Sequence, residues 1–426
     1  MANAAPQYGW FGDDFTGASD TLATLAERGF KALLFLGIPT PEQLAAVGPL
    51  DAVGIAGATR SMAPAEMAPV LDAAGAFFAG LGVRLMHYKC CSTFDSAPHV
   101  GSIGAAVAAL KPHFPNRLVP VIGGQPNLGR YCLFGQLFAA AGTGGEVHRI
   151  DRHPTMSRHP VTPMGEADLR RHLVAQGLGP IGLVDYRSHE DEGGAVALER
   201  AGAGEAQAVL FDVSRTEDLA AIAGLLSGPL AEAPMLAVGA SSVAQMLAGL
   251  GWATTGPASS SAVTRQEGPV LALAGSLSPV TRAQVEAATG FTRLIIDPAR
   301  LLSEPDHAGE LCQRAVSQLA MGDTMLLTAA PEGAPENPRA VAEATGALLR
   351  AVMREARVAR LLVAGGDTST LAIESLDIWG LSYRAPLVAG APLCRAHSAA
   401  LHLDGLEIVL KGGQMGPPNF FELASR

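Results

Sequence analysis

The residues best suited to chemistry come early in the chain. Gly12-Asp13-Asp14-Phe15-Thr16-Gly17 directly follows the apolar run Tyr8–Phe11. Two adjacent carboxylates between a strand end and a helix start can bind a hydroxyl group, and one can take its proton. Phosphoryl transfer to an alcohol uses such a carboxylate as the proton acceptor. The plainer employment of either aspartate is to cap the following helix by accepting its free N–H groups. A second run, Lys89-Cys90-Cys91-Ser92-Thr93-Phe94-Asp95-Ser96, offers a cation, three hydroxyls and a carboxylate. The chain has four lysines, Lys31, Lys89, Lys111 and Lys411, and two of them stand in candidate ligand turns. Point charges are expected to matter there. Arg60, just ahead of Ser61, adds a guanidinium able to grip a carboxylate through two parallel bonds.

Three further turns are built of small residues: Gly275-Ser276-Leu277-Ser278-Pro279, Gly365-Gly366-Asp367-Thr368-Ser369 and Lys411-Gly412-Gly413-Gln414-Met415-Gly416. Glycine lets backbone N–H groups approach a phosphate, and a following helix N-terminus favours the negative charge. Ser278 with Pro279 is a good cap and first-turn pair, and Thr368 or Ser369 suits a cap after the second turn. Such turns also simply connect strands to helices; it is their number in one region that points to a nucleotide. Neither a G-x-x-x-x-G-K-[ST] loop nor a G-x-G-x-x-G fingerprint occurs, which disfavours an ordinary P-loop protein and a nicotinamide-linked oxidoreductase. His148, His153 and His159 lie in EVHRIDRHPTMSRHP, where Pro154 and Pro160 argue for a loop rather than a metal-binding helix face. The five cysteines show no C-x-x-C spacing, so neither zinc nor a disulfide framework is indicated, and no set of metal ligands is identified.

These residues need elements to hold them. Strands are expected at Tyr8–Phe11, Ala32–Leu36, Ala52–Ala56, Arg84–Tyr88, Leu118–Ile122, Ile181–Val184, Val209–Asp212 and Met235–Val238, with amphipathic patterns between several of them. The segment 253–268 is small, polar and without an apolar period, and reads as a linker. The alternation then restarts at Val270–Ala274, Leu294–Ile296, Met325–Leu327, Leu361–Ala364, Pro386–Ala389 and Ile408–Leu410. The expected architecture is two α/β domains, 1–252 and 269–426, each with a largely parallel sheet flanked by helices. In such sheets ligands gather at the carboxyl ends of strands, where every turn named above would lie.

Composition narrows the partners. A chain of 426 residues, 48% hydrophobic and 16% charged, can bury large cores. A net charge of −10 argues against a nucleic-acid surface or an anionic membrane, although a local Arg/Lys cluster can still bind an anion. No apolar run reaches the roughly 18 residues of a membrane span, and MANAAPQYGW lacks the features of a signal peptide, so a cytoplasmic protein is expected.

The motifs together resemble the four-carbon acid sugar kinase family. The resemblance rests on Asp13-Asp14-Phe15-Thr16-Gly17-Ala18, Lys89 with Ser92-Thr93-Phe94-Asp95-Ser96, Gly129-Arg130, His159-Pro160-Val161-Thr162-Pro163-Met164, Gly275 to Thr281, Gly365 to Ser369 and Lys411-Gly412-Gly413. It covers nearly the whole chain. It implies an N-terminal acid-sugar domain, a C-terminal nucleotide domain, ATP with Mg2+, and transfer to the terminal hydroxyl of a four-carbon acid.

In that picture Asp14 or Asp13 is the base. Thr16, Gly17, Arg60, Lys89, Ser92, Thr93, Asp95 and Arg130 bind the acid. Gly275, Ser276, Ser278, Gly365, Gly366, Asp367, Thr368, Lys411, Gly412 and Gly413 bind the nucleotide. The 89–96 and 159–164 motifs are most similar to 3-oxo-tetronate kinases; a threonate or erythronate kinase, or a non-catalytic sugar-acid or nucleotide sensor, is the alternative. A homodimer is expected. Two departures stand out: Gln414-Met415 replaces the usual Asn-Phe, and Gly123 to Arg130 differs from the familiar Pro-Glu-Asn-Gly-Arg form, which puts the identity of the acid in question.

Overall fold

The computed structural model describes residues 5–159, 161–189, 193–256, 267–275, 278–328 and 338–426, with backbone only at 338 and 366–369. It divides into two compact units, Met1–Ser259 and Ser260–Arg426. Residues 257–266 of the expected linker, together with Ser276 and Pro160, lie outside the described residues. Ahead of that gap the chain is pinned to the first unit, with Thr255 donating to the Asp51 carboxylate and Gly256 N–H to Gly29.

The strands of the first unit are β1 (Tyr8–Gly12), β2 (Ala32–Phe35), β3 (Ala52–Ala56), β4 (Leu85–Lys89), β5 (Val119–Ile122), β6 (Arg130–Leu133), β7 (Gln136–Ala140), β8 (Val147–Arg149), β9 (Ile181–Val184), β10 (Ala208–Phe211) and β11 (Met235–Gly239). Eight of them form a parallel sheet in the order β2-β3-β1-β4-β11-β5-β10-β9. Most are buried along their whole length, which is why they read as continuous apolar runs rather than alternating ones. From β1 the chain passes through the helix Phe15–Ala26 to β2 and β3 on one side, then returns to β4 on the other. That reversal opens a crevice at the carboxyl end of β1. Register aligns the site there: Gly12 pairs with both Ala56 and Lys89.

Below this edge His87 on β4 is fully buried and held neutral; burial pushes its pKa down to about 3. Its Nε2–H donates to the Gly239 carbonyl, so Nδ1 accepts from Tyr8 Oη at 2.6 Å.

The antiparallel sheet β6-β7-β8 is not among the expected elements. Its strands have three to five residues, too short to stand out by period. The expected histidine loop is therefore partly strand: His148 lies on β8, and short 3-10 turns at Ile150–Arg152 and Met156–Arg158 follow.

The second unit holds β12 (Val270–Ala274), β13 (Thr292–Ile296), β14 (Thr324–Thr328), β15 (Arg360–Ala364), β16 (Gly380–Val388), β17 (Ala391–His397) and β18 (Glu407–Lys411). The order is β13-β14-β12-β15-β18-β17-β16, parallel as far as β18 and antiparallel beyond. The short strand expected at Pro386–Ala389 is the tail of β16, which turns back as β17 with two register shifts. Those irregularities break the period-two pattern that would mark a nine-residue antiparallel strand. Both units are thus mainly parallel sheets with flanking helices. Among the described residues no helix is long and apolar enough to cross a membrane.

Candidate functional site

Asp13 and Asp14 follow β1 and meet one guanidinium. Arg60, in the short turn after β3, donates from Nη2 to Asp13 Oδ1 at 2.9 Å, from Nε to Asp13 Oδ2 at 3.3 Å and from Nη1 to Asp14 Oδ2 at 2.9 Å. Asp13 and Asp14 are almost fully buried, and Arg60 nearly so. The two aspartates differ in their remaining partners. Asp14 caps the helix Phe15–Ala26: its Oδ1 accepts from Gly17 N–H at 2.8 Å and its Oδ2 from Thr16 Oγ1 at 2.5 Å. Among the described residues no main-chain N–H donates to the Asp13 carboxylate. Burial raises its proton affinity, as does Asp14 alongside, and Arg60 and Lys89 offset this only in part.

Lys89 ends β4 and is buried, with Nζ donating to the Cys90 carbonyl at 2.7 Å. It reaches the helix start because position 17 is glycine. A Cβ there would stand 2.6 Å from Lys89 Nζ and 2.7 Å from Asp14 Oδ1, closer than real Cβ atoms approach. Beyond Lys89 the chain curls on itself. Thr93 Oγ1 donates to Asp95 Oδ1 at 2.5 Å, Cys91 Sγ lies 2.9 Å from Thr93 Oγ1, and Phe94 adopts a positive φ of 52°. Burial raises the Asp95 pKa, but the Arg60 charge and the bonds from Cys91 and Thr93 outweigh it, and the net shift is downward. Ser92 is half-buried, and Ser96 faces His172 and Gln176, two residues that no sequence motif marks. Arg130 begins β6, is buried, and donates from Nη1 to the Leu128 carbonyl.

In the second unit the three glycine turns stand side by side at the carboxyl ends of β12, β15 and β18. Gly275 N–H donates to Ala364, and Gly365 N–H to Lys411. Ser278 caps the helix Pro279–Ala287 through Thr281 N–H, and its Oγ also reaches the Gly413 carbonyl at 2.5 Å. Gly365 has φ 132° and ψ 133°, a conformation suited to glycine alone, and leads into the helix Gly366–Glu374. The side chains of Asp367 and Thr368 lie outside the described residues.

Lys411 is placed differently from a phosphate-contacting lysine. Its side chain is fully buried, with Nζ donating to Thr281 Oγ1 and the Gly412 carbonyl, both at 3.0 Å, and lying 5.6 Å from the centre of the Phe420 ring. Desolvation lowers its pKa to about 7. Gln284, which no motif marks either, clamps the end of the last turn through the carbonyls of Met415, Gly416 and Pro417. Both bonds of the Lys411 ammonium thus stay within the unit, to Thr281 and to its own turn. Among the described residues no three His, Cys, Asp or Glu gather to hold a metal ion.

Residues 8–247 match the family model described as a sugar-binding N-terminal domain, and residues 271–421 the one described as a nucleotide-binding C-terminal domain. A 3-oxo-isoapionate kinase of Paraburkholderia graminis is 38% identical, over 97% of this chain and 92% of its own. A 3-oxo-tetronate kinase of Methylobacterium radiotolerans is 32% identical over 97% of each. A solved Salmonella typhimurium structure, described as a putative tRNA synthase, superposes with a TM-score of 0.77 at 26% identity and 98% coverage of both chains. With paired carboxylates in the sugar-binding half and glycine turns in the nucleotide-binding half, the chain belongs to the four-carbon acid sugar kinase family and is a sugar-acid kinase.

Proposed function

We propose that this enzyme transfers the γ-phosphoryl group of ATP to a terminal hydroxyl of a 3-oxo sugar acid. The observation that carries this reading is the Asp13–Arg60–Asp14 cluster, with Lys89 beside it, at the reversal point of the first sheet. Asp14 is committed to the helix cap and to Arg60, which fixes its position. Asp13, with the raised proton affinity, is the base that accepts the hydroxyl proton. Lys89, Arg130 and the Ser92–Thr93–Asp95 loop bind the acid. Arg60, already paired with both aspartates, orients the base more than it grips substrate. In the second unit the turns at Gly275, Gly365 and Gly412-Gly413, with the Ser278-capped helix, receive the nucleotide phosphates. Mg2+ neutralises charge on those phosphates when the nucleotide is bound. We place the enzyme in the cytoplasm as a homodimer, with 253–268 as the linker between domains.

The identity of the acid shifts with the relatives. Sequence motifs favour 3-oxo-tetronate, whereas the higher identity is to the 3-oxo-isoapionate kinase, 38% against 32%. We put 3-oxo-isoapionate first. The test is ATP-coupled ADP release with freshly made 3-oxo-isoapionate, 3-oxo-tetronate, threonate and erythronate, compared as kcat/KM. Preference for a hydroxy acid by tenfold or more would remove the 3-oxo assignment. Absence of turnover above water-driven ATP hydrolysis with all four would remove the proposed substrate class.

A further inference from the structure

The stretch that departs from the family pattern, Gly123 to Arg130, contains an arrangement the proposed chemistry has not used. Gln125 and Arg130 form an antiparallel bridge in which each N–H donates to the other's carbonyl, at 2.8 and 3.2 Å. In a hydrogen-bonded antiparallel pair the two side chains leave the ribbon on the same face, with Cβ atoms about 5.5 Å apart. Both side chains are buried, Gln125 1% and Arg130 5% exposed. Both also carry a polar atom without a hydrogen-bond partner among the described residues: Gln125 Oε1, an acceptor, and Arg130 Nε, a donor.

The amide orientation of Gln125 is fixed by chemistry. Its nitrogen must face the Asp20 carboxylate, to which it donates at 3.1 Å, so the oxygen points elsewhere. Asp20 lies on the helix that Asp14 caps and also accepts from Ser241 Oγ at 2.5 Å, so this network is tied to the helix that starts at the candidate site. Arg130, on the same face of the bridge, lies within electrostatic reach of Asp95. Burial weakens its hold on its proton, and the Asp95 carboxylate acts against that.

A buried amide oxygen and a buried guanidinium N–H without partners are costly unless something completes them. The group that completes both from one side presents a hydroxyl donor next to a carboxylate acceptor. We propose that Gln125 Oε1 and Arg130 Nε form a subsite for the α-hydroxy-carboxylate end of the sugar acid, in which Gln125 selects for a hydroxyl on the carbon bearing the carboxylate. This rests on the reading of the first unit as the acid-binding one, and it adds Gln125 as a specificity residue. A site that pairs a hydroxyl rejects the analogue lacking it far more strongly than an apolar pocket would, because its own acceptor is then left buried and unpaired.

Binding calorimetry without nucleotide tests this independently of turnover. The probes are 2,4-dihydroxybutanoate and 4-hydroxybutanoate, stable acids that differ only in the carbon-2 hydroxyl. The full-length enzyme should bind the first at least about 30-fold more tightly, a step within the range of such discrimination. Gln125→Met should bring that ratio close to one while leaving the affinity for 4-hydroxybutanoate unchanged. Gln125→Asn, which draws the amide back by one methylene, should do the same and serves if the Met variant fails to fold. Arg130→Met should weaken both acids equally. A ratio that stays high in the Gln125 variants, or wild-type enzyme that binds the two acids alike or binds neither, overturns the subsite. The kinase reading is judged separately by ADP release with the 3-oxo acids, so the two can fail independently.

Discussion

Arg60 holds Asp13 through both carboxylate oxygens while its third nitrogen reaches Asp14, so one guanidinium sets the spacing of both candidate catalytic carboxylates. The two aspartates are adjacent in sequence but not equivalent: one is a helix cap, the other the group whose proton affinity burial has raised.

Asp13→Asn should lower kcat by about 10²–10⁴-fold with nucleotide affinity unchanged. Because the Asp13 pKa lies above its ordinary value of 3.8, kcat/KM should fall as pH drops through that raised value and recover above it. The Asn variant should lose this acid limb. A wild-type pH profile in Asp13→Asn would move the base to Asp14.

Asp14→Ala should act first on stability. It removes the acceptor for Gly17 N–H, and loss of a cap costs about 0.5–2 kcal/mol. Denaturant titration should show the lower midpoint with unchanged slope. An unaltered midpoint would mean that the cap contributes nothing.

Gly17→Ala should raise KM for the acid and lower kcat together. The added methyl cannot coexist with Lys89 Nζ and Asp14 Oδ1 where they stand, and displacements near 1 Å in a site cost up to about 10²-fold. Unchanged steady-state constants would show that Lys89 has no part in binding the acid.

Gly365→Ala should raise KM for ATP while leaving KM for the acid unchanged. Its φ of 132° is strained for any other residue, about 1–3 kcal/mol, and relief would pull the turn after β15 away from its neighbours. An unaltered ATP response would make this turn purely structural.

Lys411 links stability to pH. Its pKa is about 7 in the folded chain against an ordinary 10.5, so between these values the unfolded chain binds the proton that the folded chain has given up. The folded state is therefore penalised at neutral pH and below, and the penalty fades as pH rises from about 7 toward 10.5. Lys411→Met should flatten that rise, so the Tm advantage of wild type over variant should grow between neutral and alkaline pH. Parallel curves would show that the ammonium is not desolvated.

Much of this molecule is legible locally. Parallel strands covered on both faces are mostly apolar, so β1, β3, β11 and β12 announce themselves as short unbroken runs. The chain must also leave each strand through a turn, and the residues of that turn are its sequence neighbours. That is why residue order alone places Asp13, Lys89 and the glycines after β12, β15 and β18 at the carboxyl edge of their sheets. Antiparallel elements are hidden for the converse reason. In β6–β8 the runs are too brief, and in β16 the register shifts erase the alternation.

The partnerships are not legible in this way. Arg60 lies 47 residues from Asp13, and Gln125 lies 105 from Asp20. Which charges meet depends on strand order and on how closely a helix can approach its neighbours, and no local pattern encodes either. Sequence supplies Lys411 as a cation beside glycines, but only the packing of Thr281 and Phe420 around it turns the ammonium inward. Local chemistry decides which residues stand at the carboxyl edge, because a turn must follow its strand. Tertiary structure decides which of them pair, which stay unsatisfied and which are buried, because burial and charge are properties of neighbours brought together from distant parts of the chain.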